Sequence, residues 1–187
     1  MAGLTYGTGR QALLDAAVRV VAAQGLRGLT YRSVAAEAGV THGSVRYHFG
    51  DWETLVQEAL AHCVKRSVED GDLSSPGEDF EEFASGLISL VAADPDAQAF
   101  QYELYMEARR RPELRPVMER ANGLYREAVG AELARHGLDD PDLAELVFVT
   151  LDGLVFHQTV FGDSDRTERA AAALRNLLET YRTAKGT

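Results

Sequence analysis

The sequence predicts an all-α protein of about nine helices. Apolar residues recur at helical spacing in almost every segment, and no run of useful length alternates with period two. The breaks fall at glycines or at Asp-Pro pairs. The first helix is expected over residues 11–23, where Leu14, Ala17, Val18, Val21 and Ala22 recur at helical spacing and Gly25 stops the run. Thr30 is the N-cap of a second, short helix that runs through Ala38, with Val34 and Ala38 on one face and Gly39 as its end. Thr41 caps a third helix, and Gly50 closes it after Phe49. Asp51 caps a fourth, striped by Leu55, Val56, Ala59, Leu60, Cys63 and Val64. Residues 71–77, with Ser74, Ser75 and Pro76, read as a linker.

Downstream, Asp94-Pro95 and Asp140-Pro141 each set a capping carboxylate before a proline at the first helical position. Helices are expected over 97–110, over 112–136 up to Gly137, over 143–161 and over 165–184. The segment 143–161 is apolar nearly all round, through Leu146, Val147, Phe148, Val149, Leu151, Leu154, Val155 and Phe156. A helix without a polar face must be covered on more than one side, by a central core or by a partner. In the last helix Ala170, Ala173, Leu174, Leu177, Leu178 and Tyr181 form the apolar stripe.

With 45% hydrophobic and 26% charged residues, this 187-residue chain has the balance of a folded globular protein rather than a disordered one. Cys63 is the only cysteine, which excludes an intrachain disulfide and a cysteine-rich zinc site. Residues 1–10 hold no signal-peptide core, and no stretch approaches the ~18 apolar residues of a membrane span, so a cytoplasmic location is expected. The net charge of −10 argues against a nucleic-acid partner until its distribution is read. Residues 1–50 carry five arginines against Asp15 and Glu37, a net +3, whereas the other 137 residues hold 14 basic and 27 acidic side chains, a net −13. That asymmetry suggests a cationic contact surface on an acidic body.

The informative region is residues 11–60, three helices joined by short turns. The turn Gly39-Val40-Thr41 has helix-turn-helix grammar: glycine permits a left-handed residue, Val40 points inward, and Thr41 caps the next helix. That helix would expose Thr41, His42, Ser44, Arg46, Tyr47 and His48 and turn Val45 and Phe49 to the core. Gly43 would remove bulk where such a helix approaches DNA. In a major groove its N-terminal side chains reach base edges while the flanks touch phosphates. Arg46 is the candidate for a bidentate contact to guanine. The same pattern also fits an αα-corner with a solvated polar face.

The segment LTYRSVAAEAGVTHGSVRYHFGDWETL, residues 29–55, resembles the DNA-binding signature of the TetR family of transcriptional regulators. Ala38-Gly39-Val40, Gly43, Phe49, Glu53 and Leu55 stand where that pattern expects them. The resemblance implies DNA contacts by Thr30, Arg32, Thr41, His42, Gly43, Ser44, Arg46, Tyr47, His48 and Trp52. Two positions depart from the family's pattern. Trp52 stands near where many members carry a phosphate-binding lysine, so that contact is missing or replaced by the indole N–H. Arg46 stands where a tyrosine is common, which implies a different preferred base.

The resemblance also implies two domains, a helix-turn-helix domain over 1–50 and a ligand-binding and dimerisation domain over 51–187. The last two helices would pack on their symmetry mates as a four-helix bundle. A small-molecule site in the body would be lined by Phe83, Leu87, Tyr102, Tyr105, Met106, Met118, Tyr125, Phe148, Asp152 and Phe156, although core packing accounts for any one aromatic equally well. Asp152 is the sharper case, because a carboxylate inside an apolar helix needs a partner or a ligand.

Enzyme chemistry finds little support. His62 and Cys63 are adjacent and face different ways, and His157 lacks an acid at ligand spacing such as i+4. Gly3, Gly7 and Gly9 come after no strand, so they make no phosphate loop. No cofactor and no metal are expected. The expected protein is a homodimeric repressor on a palindromic operator, released by an apolar small molecule. An activator or corepressor-dependent regulator of the same fold remains open, as does a helical interaction module with weak DNA binding.

Overall fold

The computed structural model describes residues 6–70, 77 and 79–185. Among these residues there are nine α-helices, two 3₁₀ turns and no strand. The helices are α1 (Tyr6–Gln24), α2 (Tyr31–Ala38), α3 (His42–Phe49), α4 (Trp52–Asp70), α5 (Leu87–Ala93), α6 (Pro95–Arg110), α7 (Arg115–Arg135), α8 (Pro141–Phe161) and α9 (Ser164–Lys185). The linker expected at 71–77 lies outside the described residues except for Gly77.

Two compact units divide the chain, and α4 and α7 contribute to both. The first holds residues 6–65 and Asp96–Ala121. Its core is built from α1, where Leu13, Leu14, Ala16, Ala17, Val18, Val20 and Val21 are buried, with Val34, Val45, Phe49, Leu55 and Val56 from the next three helices. The second unit, Arg66–Pro95 with Asn122–Thr187, gathers Phe80, Phe83, Leu87, Leu133, Leu138, Val147, Phe148, Leu151, Leu174 and Leu178.

The short helices arise from local chemistry. Thr30 accepts the Ser33 N–H at 3.0 Å, and Ser33 Oγ accepts the Thr30 N–H at 2.9 Å, a reciprocal cap at the start of α2. Gly39 ends α2 at φ 67°, a left-handed position that glycine adopts without a Cβ penalty. Thr41 caps α3 by accepting the Ser44 N–H, and Asp140 caps α8 by accepting from Asp142 and Leu143 ahead of Pro141.

Three features differ from the sequence expectation. Helix α5 leaves no signal in the sequence: it has seven residues, too few to display a period, and no side-chain cap. The stretch 112–136 is not one helix, because Arg111 is extended and Pro112–Leu114 forms a 3₁₀ turn before α7 starts at Arg115. Helix α8, by length and composition, is apolar enough to cross a membrane, contrary to the expectation that no stretch is. Its buried stripe of Val147, Phe148 and Leu151 packs into the core of the second unit.

Candidate nucleic-acid interface

Helix α3 is fixed from behind and open in front. Val45 and Phe49 are buried beneath it. Arg10 of α1 donates to the His48 carbonyl at 2.8 Å, lays its guanidinium 4.9 Å from the centre of the Phe49 ring, and pairs with Glu58 of α4. A cation on a last-turn carbonyl satisfies a group the helix leaves unpaired and opposes the negative end of its dipole. Tyr31 donates its hydroxyl to the Gly50 carbonyl at 3.0 Å, which ties the start of α2 to the end of α3. Burial and the nearby Asp51 carboxylate push the Tyr31 phenol above its usual pKa. The Thr54 N–H holds the Asp51 carboxyl below its ordinary value, as suits the start of α4.

The front of α3 presents Thr41, His42, Gly43, Arg46 and Tyr47 to solvent, with Tyr47 75% exposed, while Ser44 and His48 are half-buried. Thr30 and Arg32 at the start of α2 are also exposed. The charge pattern resolves in the same way. Arg10 and Arg19 pair with Glu58 and Glu37, and Asp15 meets His62 at 2.8 Å. Arg27, Arg32 and Arg46 are exposed and form no ion pair among the described residues, so they carry the +3 surplus. Arg10, part of the cationic surface as counted from sequence, is a structural residue of α3.

Trp52 is placed differently from its sequence reading. The indole N–H suggested there as a phosphate donor is given to the Leu29 carbonyl at 3.0 Å, and the ring, half-buried, lies 5.0 Å beneath the Arg111 guanidinium. Sequence reasoning missed Arg10, Tyr31 and Arg111 as supports of the α2–α3 pair. Each acts across 19 residues or more, beyond the reach of local pattern.

The small-molecule candidates fall into the two units. In the first, the half-buried Tyr102 and Tyr105 stack at 6.0 Å, Met118 is buried and Met106 is 55% exposed. In the second, Phe83, Leu87 and Phe148 share the core with Tyr125 packed against it, Asp152 is half-buried, and Phe156 is 41% exposed. Arg126 stacks on the Phe148 ring at 5.0 Å. No group of three or more potential metal ligands occurs among the described residues.

Residues 13–59 match the family described as bacterial regulatory proteins, tetR family, and residues 78–180 match the tetracyclin repressor-like C-terminal domain. The chain belongs to the TetR family. Regulators of this family are DNA-binding transcription factors rather than enzymes, and α2, the Gly39 turn and α3 form the helix-turn-helix. The HTH-type transcriptional regulator BetI of Rhizobium meliloti (strain 1021) is 27% identical over 95% of this chain and 91% of its own. A TetR family member from Streptomyces coelicolor A3 is 36% identical with a TM-score of 0.73, covering 90% of this chain and 97% of its own. The multidrug binding protein EbrR, complexed with imidazole, is also 36% identical, with a TM-score of 0.67 over 90% of this chain and 88% of its own. EbrR has further been solved with proflavin, malachite green and ethidium.

Proposed function

We propose that this TetR family regulator is a cytoplasmic homodimeric repressor that holds a palindromic operator and releases it on binding a mostly apolar aromatic molecule, aromatic cations included. The observation that carries the reading is the front of α3, where Arg46 and Tyr47 stand exposed above a rigidly seated helix. Arg46 reads a guanine, Thr41, His42, Gly43 and Ser44 line the groove, and Thr30, Arg32, Tyr47 and His48 meet the flanking backbone. Residues 1–50 are the reading domain, and residues 51–187 bind ligand and dimerise.

The dimer reading is supported by α8 and α9. Leu146, Val149, Phe156 and Val160 recur along one side of α8 and remain 41–58% exposed, and Leu177 and Tyr181 are 62% and 42% exposed on the adjacent α9. A continuous apolar face of this kind marks an interaction surface. A second copy supplies the matching face, and a two-fold axis sets the half-sites about 34–36 Å apart or at a multiple of that. The effector class rests on EbrR, a multidrug binding relative solved with proflavin, malachite green and ethidium, and on the aromatic candidates above, with Tyr102 and Tyr105 already stacked.

The test is selection of a random duplex library on the purified protein, repeated with Arg46→Ala. An enriched palindrome that changes at one base per half-site in the variant supports the reading, and no enrichment by either protein rejects it. Proflavin, malachite green and ethidium should each raise the melting temperature of the DNA-free protein if the effector class is right. A flat response to all three removes it.

A further inference from the structure

Glu107 of α6 is a charge that the DNA-binding reading leaves unused. The residue is 6% exposed, and a carboxylate that deep must be paired. One oxygen takes Arg110 at 2.7 Å and the other takes the Arg111 Nε at 3.0 Å. Arg111 then continues outward: its guanidinium stacks on Trp52 at 5.0 Å, and Trp52 donates to the Leu29 carbonyl at 3.0 Å. Leu29 immediately precedes Thr30, the cap of α2. A carboxylate, a guanidinium, an indole and a backbone carbonyl thus run without a gap from the end of α6 to the start of the helix-turn-helix, all within the first unit.

The backbone of Arg111 is held from both sides, its N–H on the Glu107 carbonyl at 2.8 Å and its own carbonyl accepting from Leu114 at 3.1 Å. That backbone is therefore fixed to α6, and the Glu107 carboxylate ties the guanidinium to the same helix. Each link is also directional. A guanidinium can lie on a ring face while it bonds a carboxylate, and an indole can receive the cation on its face while it donates from its edge. Helix α6 also carries Tyr102 and Tyr105, two of the candidate effector contacts.

We propose that the Glu107–Arg111–Trp52–Leu29 relay couples α6 to the helix-turn-helix, with Arg111 and Trp52 as positioning residues that set the start of α2 and, through it, the aim of α3. The proposal rests on the regulator reading above. Coupling of this kind is reciprocal, so DNA on α3 must be felt on α6 even when no effector is present.

That reciprocity allows a test without the effector. The full-length protein, Arg111→Ala, Arg111→Lys and Trp52→Phe are compared with and without the selected duplex. Labelled-duplex anisotropy measures binding, and amide exchange is monitored over residues 98–110. Trp52 is the only tryptophan, so the emission comes from this joint, and the α6 exchange is the readout that separates coupling from direct contact with duplex. In the wild type, saturating duplex should slow α6 exchange about tenfold and shift the tryptophan emission. Arg111→Ala should bind more weakly and, once saturated, leave α6 exchange unchanged by DNA, and Arg111→Lys should recover part of the response. Trp52→Phe keeps a ring but loses the donor to Leu29, and it should lose the response as well, which covers the case in which Arg111→Ala does not fold. Duplex bound by the wild type with no change in α6 overturns the relay and leaves the regulator intact, as does a full response in both Arg111→Ala and Trp52→Phe. Failure of the wild type to bind any duplex removes the regulator reading and the relay with it.

Discussion

Gly43 offers the sharpest single-residue test of the DNA interface, because free and bound protein should respond with opposite signs. It is the second residue of α3, it is exposed, and its φ is not positive. A Cβ built there meets only Thr41 Oγ1, at 3.9 Å, an ordinary contact. Nothing in the free protein therefore requires glycine. Alanine at a helical position is worth roughly 0.5–1 kcal/mol over glycine, somewhat less in a first turn. In a chain of this length that raises the melting temperature by about 1–4 °C.

On DNA the argument reverses. If the first turn of α3 lies against the groove, the added methyl occupies space that the duplex needs, and a loss of at least about 1.4 kcal/mol, tenfold in affinity, is expected. Gly43→Ala should therefore melt higher and bind the operator at least about tenfold more weakly, by thermal denaturation and by anisotropy at one fixed salt concentration. Gly39→Ala is the control. Its φ of 67° penalises any Cβ, so that variant should lose stability whatever the DNA does. Unchanged operator affinity in Gly43→Ala would show that the first turn of α3 does not approach the groove. A lower melting temperature would sink the premise that the free fold tolerates a side chain there.

The body and α6 each give a further expected outcome. Val149→Glu puts a charge in the middle of the exposed face of α8 without disturbing a buried contact, so sedimentation should find folded monomers that no longer hold the operator at protein concentrations where the wild type does. A persisting dimer would send the interface elsewhere. Glu107 gives a pH signature: the Arg110 hydrogen bond, then the charges of Arg110, Arg111 and Arg27, outweigh desolvation and hold its carboxyl below the ordinary 4.5. Its contribution is present in full above that value and is lost as pH falls through the lowered one. The gap in melting temperature between wild type and Glu107→Gln should therefore be widest near neutrality and close in acid. A gap that does not change with pH would mean that the ionised form is not what is bound.

The helix-turn-helix is legible in the sequence because its determinants are local. Thr30 and Ser33 are three residues apart, as are Thr41 and Ser44, and Gly39 supplies the one left-handed residue between them. Interval and residue type are enough to write α2, the turn and α3. Supports that act across the chain leave no such trace. Arg10 reaches His48 and Glu58 over 38 and 48 residues, so sequence counts it as a free cation when the fold makes it a clasp. Trp52 reads as a substitute phosphate donor because nothing local reveals that Leu29 takes its N–H and Arg111 its face. Helix α8 is intermediate. Its all-round apolarity announces two coverings, but only the packing shows that Val147, Phe148 and Leu151 face inward and Leu146, Val149, Phe156 and Val160 face out.

The same distinction between a sum and its placement resolves the charge of this regulator. A net −10 should repel a polyanion, yet the number combines side chains in different circumstances. In the first fifty residues Arg10 and Arg19 are taken up in ion pairs with Glu58 and Glu37, Asp15 meets His62, and Arg27, Arg32 and Arg46 stand exposed. At physiological ionic strength charges farther than about 8 Å from a phosphate are largely screened, whereas an arginine on the phosphate is not. The acidic remainder therefore weakens long-range attraction to any duplex more than it weakens a seated contact. Binding that depends on a few close cations and on the front of α3 loses non-specific affinity first. For a regulator competing against bulk DNA, the acidic body acts in favour of discrimination.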